Sequence, residues 1–202
     1  MQIGIISDTH DDLDNVVKAI NIFKKNEVEL IIHAGDYVFP GVLERINEEF
    51  KKLKYNNVKL IGVLGNNDGE KIGLLRAFIE AKGELITDEI GKIIIELDGK
   101  KFGVYHGTNK ELVNALIQSG KYDVFIYGHT HQRHNEMFKM AYKKTHVINP
   151  GTAHKNFPNI DKKIEEKSCV VIYDSKTEDT KFIELNTEKR IEQPLKVIEC
   201  NE

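Results

Sequence analysis

Cysteine is scarce in this chain. Its 202 residues hold two, Cys169 within an apolar run and Cys200 near the end. That is too few for a disulfide framework, and no Cys-based metal motif is present, so both are expected as thiols. No apolar stretch is long enough to cross a bilayer, and the first residues enter a strand pattern with none of the basic, apolar and cleavage segments of a secretory leader. The protein is therefore expected in the cytoplasm, away from membranes. Positive charge is not in excess: 29 Lys and Arg face 32 Asp and Glu, a net charge of −3. Long nucleic acid, which calls for a basic face, is not the expected partner. The pairs Lys51-Lys52, Lys143-Lys144 and Lys162-Lys163 lie among acidic or polar neighbours and read as solvated surface. Tryptophan is absent; with plentiful Lys, Glu and Ile this suits a thermophile without establishing one. Neither an internal repeat nor a low-complexity linker interrupts the chain.

What remains is a charge-rich globular composition, 40% apolar and 30% charged. A chain of this size fits one domain and buries roughly 70% of the surface its unfolded form exposes. The pattern begins with Ile3 to Ile6, a β-branched run that stops at Ser7-Asp8-Thr9-His10. At a strand tip, residues two apart point to the same side, so Asp8 and His10 could share one cation. Taken alone, the same residues could equally cap a helix. An acidic turn, Asp11 to Asp14, then leads into a helix up to Lys25, with Val16, Val17, Ile20 and Phe23 at helical spacing.

The unit repeats. Val28 to Ala34 reads as a buried strand ending at Gly35-Asp36, followed by a helix opened by Pro40 with Val42, Leu43, Ile46, Phe50 and Leu53 as its apolar stripe. Val58 to Leu64 ends at Gly65-Asn66-Asn67-Asp68, and the helix after it is expected to bury Ile72, Leu75, Phe78 and Ile79. Three such units imply a parallel sheet whose carboxyl edge carries the function. Beyond them, Ile90 to Leu97 and Lys101 to Tyr105 are expected to form a hairpin across Asp98-Gly99, ending at His106-Gly107. A helix over 109–118 follows, then a strand from Asp123 to Tyr127 that stops at Gly128-His129-Thr130-His131, and another, His146 to Ile148, that stops at Asn149-Pro150-Gly151-Thr152. Strands over 168–173 and 180–185 complete a domain of residues 1–185. Residues 186–202 read as a polar surface tail, with Pro194 to Ile198 able to dock on the domain or on a neighbouring chain.

Seven N and O donors thus sit at strand ends, with no thiolate among them: Asp8, His10, Asp36, Asn66, His106, His129 and His131. That donor set suits two borderline or hard divalent cations better than one structural zinc. The series Asp8-Thr9-His10, Gly35-Asp36, Gly65-Asn66, His106-Gly107 and Gly128-His129-Thr130-His131 resembles the calcineurin-like metallophosphoesterases, and chain length points to the small YfcE-type phosphodiesterase branch. The resemblance implies an α/β fold, a single four-layer α/β/β/α sandwich. It also implies that Asp8, His10 and His131 hold a first metal, that Asn66, His106 and His129 hold a second, and that Asp36 bridges them. Two cations about 3.5–4 Å apart, with a bridging hydroxide attacking phosphorus in line, hydrolyse phosphodiesters and, more weakly, monoesters. Manganese is the metal the resemblance favours, although Ni, Fe, Co and Zn suit the same donors.

One position departs from the family. Many members have His after the metal-binding Asn, where this chain has Asn67. An amide can donate to a phosphate oxygen but has no proton to transfer, which implies a roughly 10²- to 10⁴-fold loss on poor leaving groups. Asp68 is expected to orient the Asn66 loop or a histidine ligand; it and Asn67 are the further catalytic candidates. His33 reads as a satisfied core residue, while His134, His146 and His154 are candidates for a substituted proton donor. Two other classes compete with a hydrolase of small phosphodiesters. A protein-binding scaffold of the retromer-subunit type lacks several of the ligands that all stand here, and a nuclease would need a DNA-binding surface. Self-association through the tail or an edge strand stays open.

Overall fold

The computed structural model describes residues 1–86, 93–155 and 167–200. Ile90 to 92, where the hairpin was expected to begin, and the Lys162-Lys163 pair lie outside the described residues. The first half is β1 (Gln2–Ile6), α1 (Leu13–Lys25), β2 (Leu30–His33), α2 (Gly41–Lys52), β3 (Lys59–Val63), α3 (Lys71–Glu80) and β4 (Glu84–Ile86), the four strands all parallel. Then come β5 (Ile93–Leu97), β6 (Lys100–Val104), α4 (Lys110–Gln118), β7 (Val124–Ile126), β8 (Arg133–Met140), β9 (Lys143–Pro150), β10 (Cys169–Asp174), β11 (Thr180–Glu184), β12 (Arg190–Ile191) and β13 (Lys196–Glu199). They build one sheet in the order β12-β11-β10-β1-β2-β3-β4 and another in the order β13-β8-β9-β7-β6-β5.

Period-two alternation explains why the sheets stack. In β1, Ile3 and Ile5 face an inner core shared with Phe102 and Val104 of β6 and Val124 and Ile126 of β7, whereas Ile6 joins an outer core with α1 and α2. Phe125, between its two inward neighbours, turns out to a third core with Val113 and Ile117 of α4. Three apolar seams separate four layers, helices outside and sheets inside, as the resemblance implies. Helix α1 starts where its sequence says it should. The Asp12 carboxylate accepts from the Asn15 N–H, Asp14 lies in the first turn and Lys24 and Lys25 in the last.

The third helix corrects an expectation. Its buried residues are Leu74, Ala77 and Phe78, while Ile72, Leu75 and Ile79 are exposed, Ile72 at 70%. Apolar residues lie on more than one face of α3, so spacing alone does not pick the buried one; the contacts of α3 with α2 and the edge strand β4 do. Strand β8 has no counterpart in the sequence reading. Five of its eight residues are polar, but all eight pair with β9, from Arg133 opposite Pro150 to Met140 opposite Lys143. At the end of the chain, β12 pairs with β11 and β13 runs parallel to β8, one added to each sheet.

His146 sits in β9, away from the strand ends that carry the donors, and donates from Nε2 to the Asn135 Oδ1 at 2.8 Å. Burial pushes its pKa down to about 4, with Glu178 opposing and Lys144 adding to the shift. The unfolded chain binds this proton near pH 6.5 and the native protein does so only near pH 4, so the stability is present above that window and lost as pH falls through it. Wild-type protein is expected to lose about 2 kcal/mol from this group between pH 7 and pH 5. Urea unfolding of His146→Gln at both pH values should show a smaller acid loss; an equal loss contradicts the assignment.

Candidate metal centre

The loops that leave β1, β2, β3, β6, β7 and β9 meet at one edge of the stacked sheets. Their backbones are laced together: the Asp8 N–H donates to the Gly35 carbonyl (3.0 Å), His10 to Asp36 (3.2 Å), Asp11 to Tyr37 (3.3 Å) and Gly128 to His106 (2.8 Å). Asp8, His10, Asp36, His129 and His131 all adopt positive φ, between 41° and 62°. A left-handed conformation costs a non-glycine residue roughly 1–2 kcal/mol, so this edge holds strain that the surrounding bonds maintain.

Two clusters of donor atoms result. Asp8, His10 and His131 bring one ligand atom each within 4.8 Å of one another, and so do Asp36, His106 and His129. Asp36 lies between them, its Oδ2 3.7 Å from His10 Nε2 and 3.3 Å from His106 Nε2. Asn66 Oδ1 stands 3.2 Å from His106 Nε2. All seven donors expected from the sequence are therefore together. His106 Nδ1 donates to the Ala34 carbonyl at 2.7 Å, which turns Nε2 toward the cluster, the usual way a ligating imidazole is oriented. His10 and His131 point Nε2 at each other across 3.2 Å, with Asp8 Oδ1 3.3 Å from the latter. Such a convergence of lone-pair donors, with no thiolate, fits divalent cations.

At His10 and His129 the electrostatics agree with that donor role. Burial lowers the pKa of His10 and of His129, favouring neutral rings with a lone pair to give. His106 behaves otherwise: burial opposes its charge, but Asp36, Asp8 and the Ala34 carbonyl outweigh burial and raise it to about 9. Asp36 is correspondingly held well below the usual carboxylate range; burial opposes this, and His106 and the two Asn67 donors overcome it.

The neighbouring residues take defined places. Asn67 does not reach outward. Its backbone N–H donates to Asp36 Oδ1 (2.9 Å) and its side-chain amide to Oδ2 (2.8 Å). Asp68 is buried and accepts from the N–H groups of Gly65 (2.6 Å), Asp36 (3.1 Å) and Val38 (2.8 Å), which ties the Asn66 loop to the Asp36 loop. His33 is a satisfied core residue: Nδ1 accepts from the Gly35 N–H and Nε2 donates to the Thr9 hydroxyl. Of the three other histidines, His154 lies beside the first cluster, its ring 6.2 Å from that of His10, while His134 pairs with the Tyr127 hydroxyl.

Sequence reasoning missed Ser7, whose hydroxyl donates to Asp8 Oδ2 at 2.5 Å. Gly128 is needed for close approach: a Cβ there would meet Asp8 Oδ2 at 2.6 Å and the Ser7 hydroxyl closer still.

A family model of the calcineurin-like phosphoesterase superfamily domain matches residues 1–177. This chain belongs to that superfamily. Among curated relatives of this calcineurin-like phosphoesterase is the phosphodiesterase MJ0936 of Methanocaldococcus jannaschii, 43% identical over 151 residues that span 75% of this chain and 83% of the relative. Among solved structures, an archaeal phosphodiesterase superposes with a TM-score of 0.71 at 36% identity, covering 91% of this chain and 99% of its own. The YfcE phosphoesterase of E. coli shares the fold at a TM-score of 0.60 and 19% identity, covering 96% and 98%. A Vps29 protein of Entamoeba histolytica, determined with zinc, shares the fold at a TM-score of 0.56 and 13% identity, covering 95% and 96%. The superfamily that the motifs resemble is thus borne out.

Proposed function

We propose that the protein is a metal-dependent phosphodiesterase that uses two divalent cations, with weaker action on monoesters. The observation that carries this reading is the pair of three-residue donor clusters with Asp36 between them. Asp8, His10 and His131 would hold one ion and Asn66, His106 and His129 the other, with Asp36 touching both. What such ions would supply there is Lewis acidity toward phosphoryl oxygens and a water made nucleophilic near neutral pH. The chain's own residues supply the geometry. Asp36, with Asn67 on both its oxygens, would keep two cations close by offsetting their repulsion, and neutral Asn66 would leave the site positive enough to attract a phosphate anion. Manganese is the proposed metal. We place the protein in the cytoplasm, where its cysteines stay reduced; no described helix is long and apolar enough to cross a membrane. A retromer-type scaffold is the weaker alternative, since the Vps29 neighbours are 13–14% identical and the phosphodiesterase relative 43%.

The test compares hydrolysis of bis(p-nitrophenyl) phosphate and p-nitrophenyl phosphate by metal-stripped protein before and after manganese. Recovery with a preference for the diester is expected; no turnover of either ester despite metal binding moves the assignment to the scaffold. Asn67→His should then raise the rate on diesters with poor leaving groups, by up to the roughly 10²-fold lower bound of general acid catalysis. The same exchange removes an amide from Asp36, so elemental analysis of the variant separates a gain of proton transfer from a change in metal content. No gain on any ester, with metal retained, contradicts this account of Asn67.

A further inference from the structure

Among the described residues, the outer face of the six-stranded sheet carries one helix, α4, nine residues long. Nine helical residues span about 14 Å, and six strands at a spacing of about 4.8 Å are wider than that. The uncovered part is a cavity of about 400 Å³ between α4 and the outward side chains of β8, within the size range of small-molecule sites. Val113 and Ile117 of α4 and Val147 of β9 give it an apolar floor, Tyr127 and Phe138 give it aromatic faces, and Asn114 places an amide at its edge. One end is formed by Gly107, His129 and Thr130, so the cavity opens on the Asp36, His106 and His129 cluster and not on the other.

We propose that this cavity receives the ester substituent of the substrate, and that the substituent is a nucleoside. This rests on the phosphodiesterase reading of the adjoining centre. A phosphate held at His129 projects one ester group toward the cavity. An alkyl group as small as methyl leaves the space beside Tyr127 and Phe138 to water. A flat heteroaromatic ring covers them and presents a hydrogen-bonding edge to the Asn114 amide and to Glu136, which also lines the cavity. The net charge of −3 offers no general attraction to a polynucleotide, so a mononucleotide unit is the size selected.

The experiment measures calorimetric affinities of manganese-loaded protein for adenosine 5′-monophosphate, hexyl phosphate and methyl phosphate. It adds NMR shifts of the Val113, Ile117 and Val147 methyl groups on metal-free protein with adenosine 5′-monophosphate. The nucleotide is expected to bind at least roughly ten-fold tighter than methyl phosphate, the scale of base stacking on an aromatic side chain. Asn114→Trp, whose indole occupies the cavity from an exposed helix position, should bring that ratio close to one, and the three methyl groups should shift in wild type. Equal affinities, hexyl phosphate binding as tightly as the nucleotide, or an unchanged ratio in Asn114→Trp each overturn the proposal. Turnover of bis(p-nitrophenyl) phosphate by the same preparation keeps the two claims apart. Turnover without nucleotide preference removes the cavity proposal alone, and nucleotide binding at these methyl groups without turnover removes the hydrolase reading alone.

Discussion

Asp36→Ala is expected to remove turnover and metal retention together. The Asp36 carboxylate receives both Asn67 donors and lies within 3.3 Å of His106 and 3.7 Å of His10. Its loss takes away the carboxylate that lies between the clusters and removes a counter-charge 3.3 Å from the buried ring of His106. Removing a residue that merely supports a ligand costs roughly 10- to 100-fold in metal affinity, and Asp36 should exceed that range because the cations would then face each other unscreened. Elemental analysis after gel filtration and hydrolysis of bis(p-nitrophenyl) phosphate check this. A variant that keeps two ions per chain would contradict the place given to Asp36.

Asp68→Ala should act chiefly through stability. Three backbone N–H groups, of Gly65, Asp36 and Val38, converge on this carboxylate, which is 3% exposed. Each donor left without an acceptor costs about 1–3 kcal/mol, so urea unfolding should report a loss of about 3 kcal/mol or more. The loops that present Asp36 and Asn66 would separate, and metal affinity should fall roughly 10- to 100-fold, as for loss of an outer partner. Asp68→Asn retains one acceptor oxygen and should lose less of both. A stability within about 0.5 kcal/mol of wild type, the range of an inert surface change, would contradict the tie.

The legible parts of this fold are those whose residues state their own environment. The apolar runs ending at Ile6 and His33 are buried along their length, as strands inside a parallel sheet must be, and they end abruptly where the donors begin. The meeting of the seven candidate donors was legible for the same reason: a carboxylate, imidazole or amide at the end of such a run has only the strand edge to go to. Strand β8 was not, because its partner β9, and not its own composition, makes it a strand. The buried face of α3 was not, because apolar residues surround that helix and neighbours choose among them. Nor could spacing show that Asn67 turns in to Asp36 or that Thr9 holds His33, since both bonds cross between loops that only the fold brings together.

The most direct test of the two-metal account is the stoichiometry of manganese per chain, titrated into stripped protein while hydrolysis of bis(p-nitrophenyl) phosphate is followed. Two clusters of donors joined by Asp36 predict two equivalents, with the rate rising as the second site fills. One equivalent at saturation, or a rate indifferent to the metal, would contradict it.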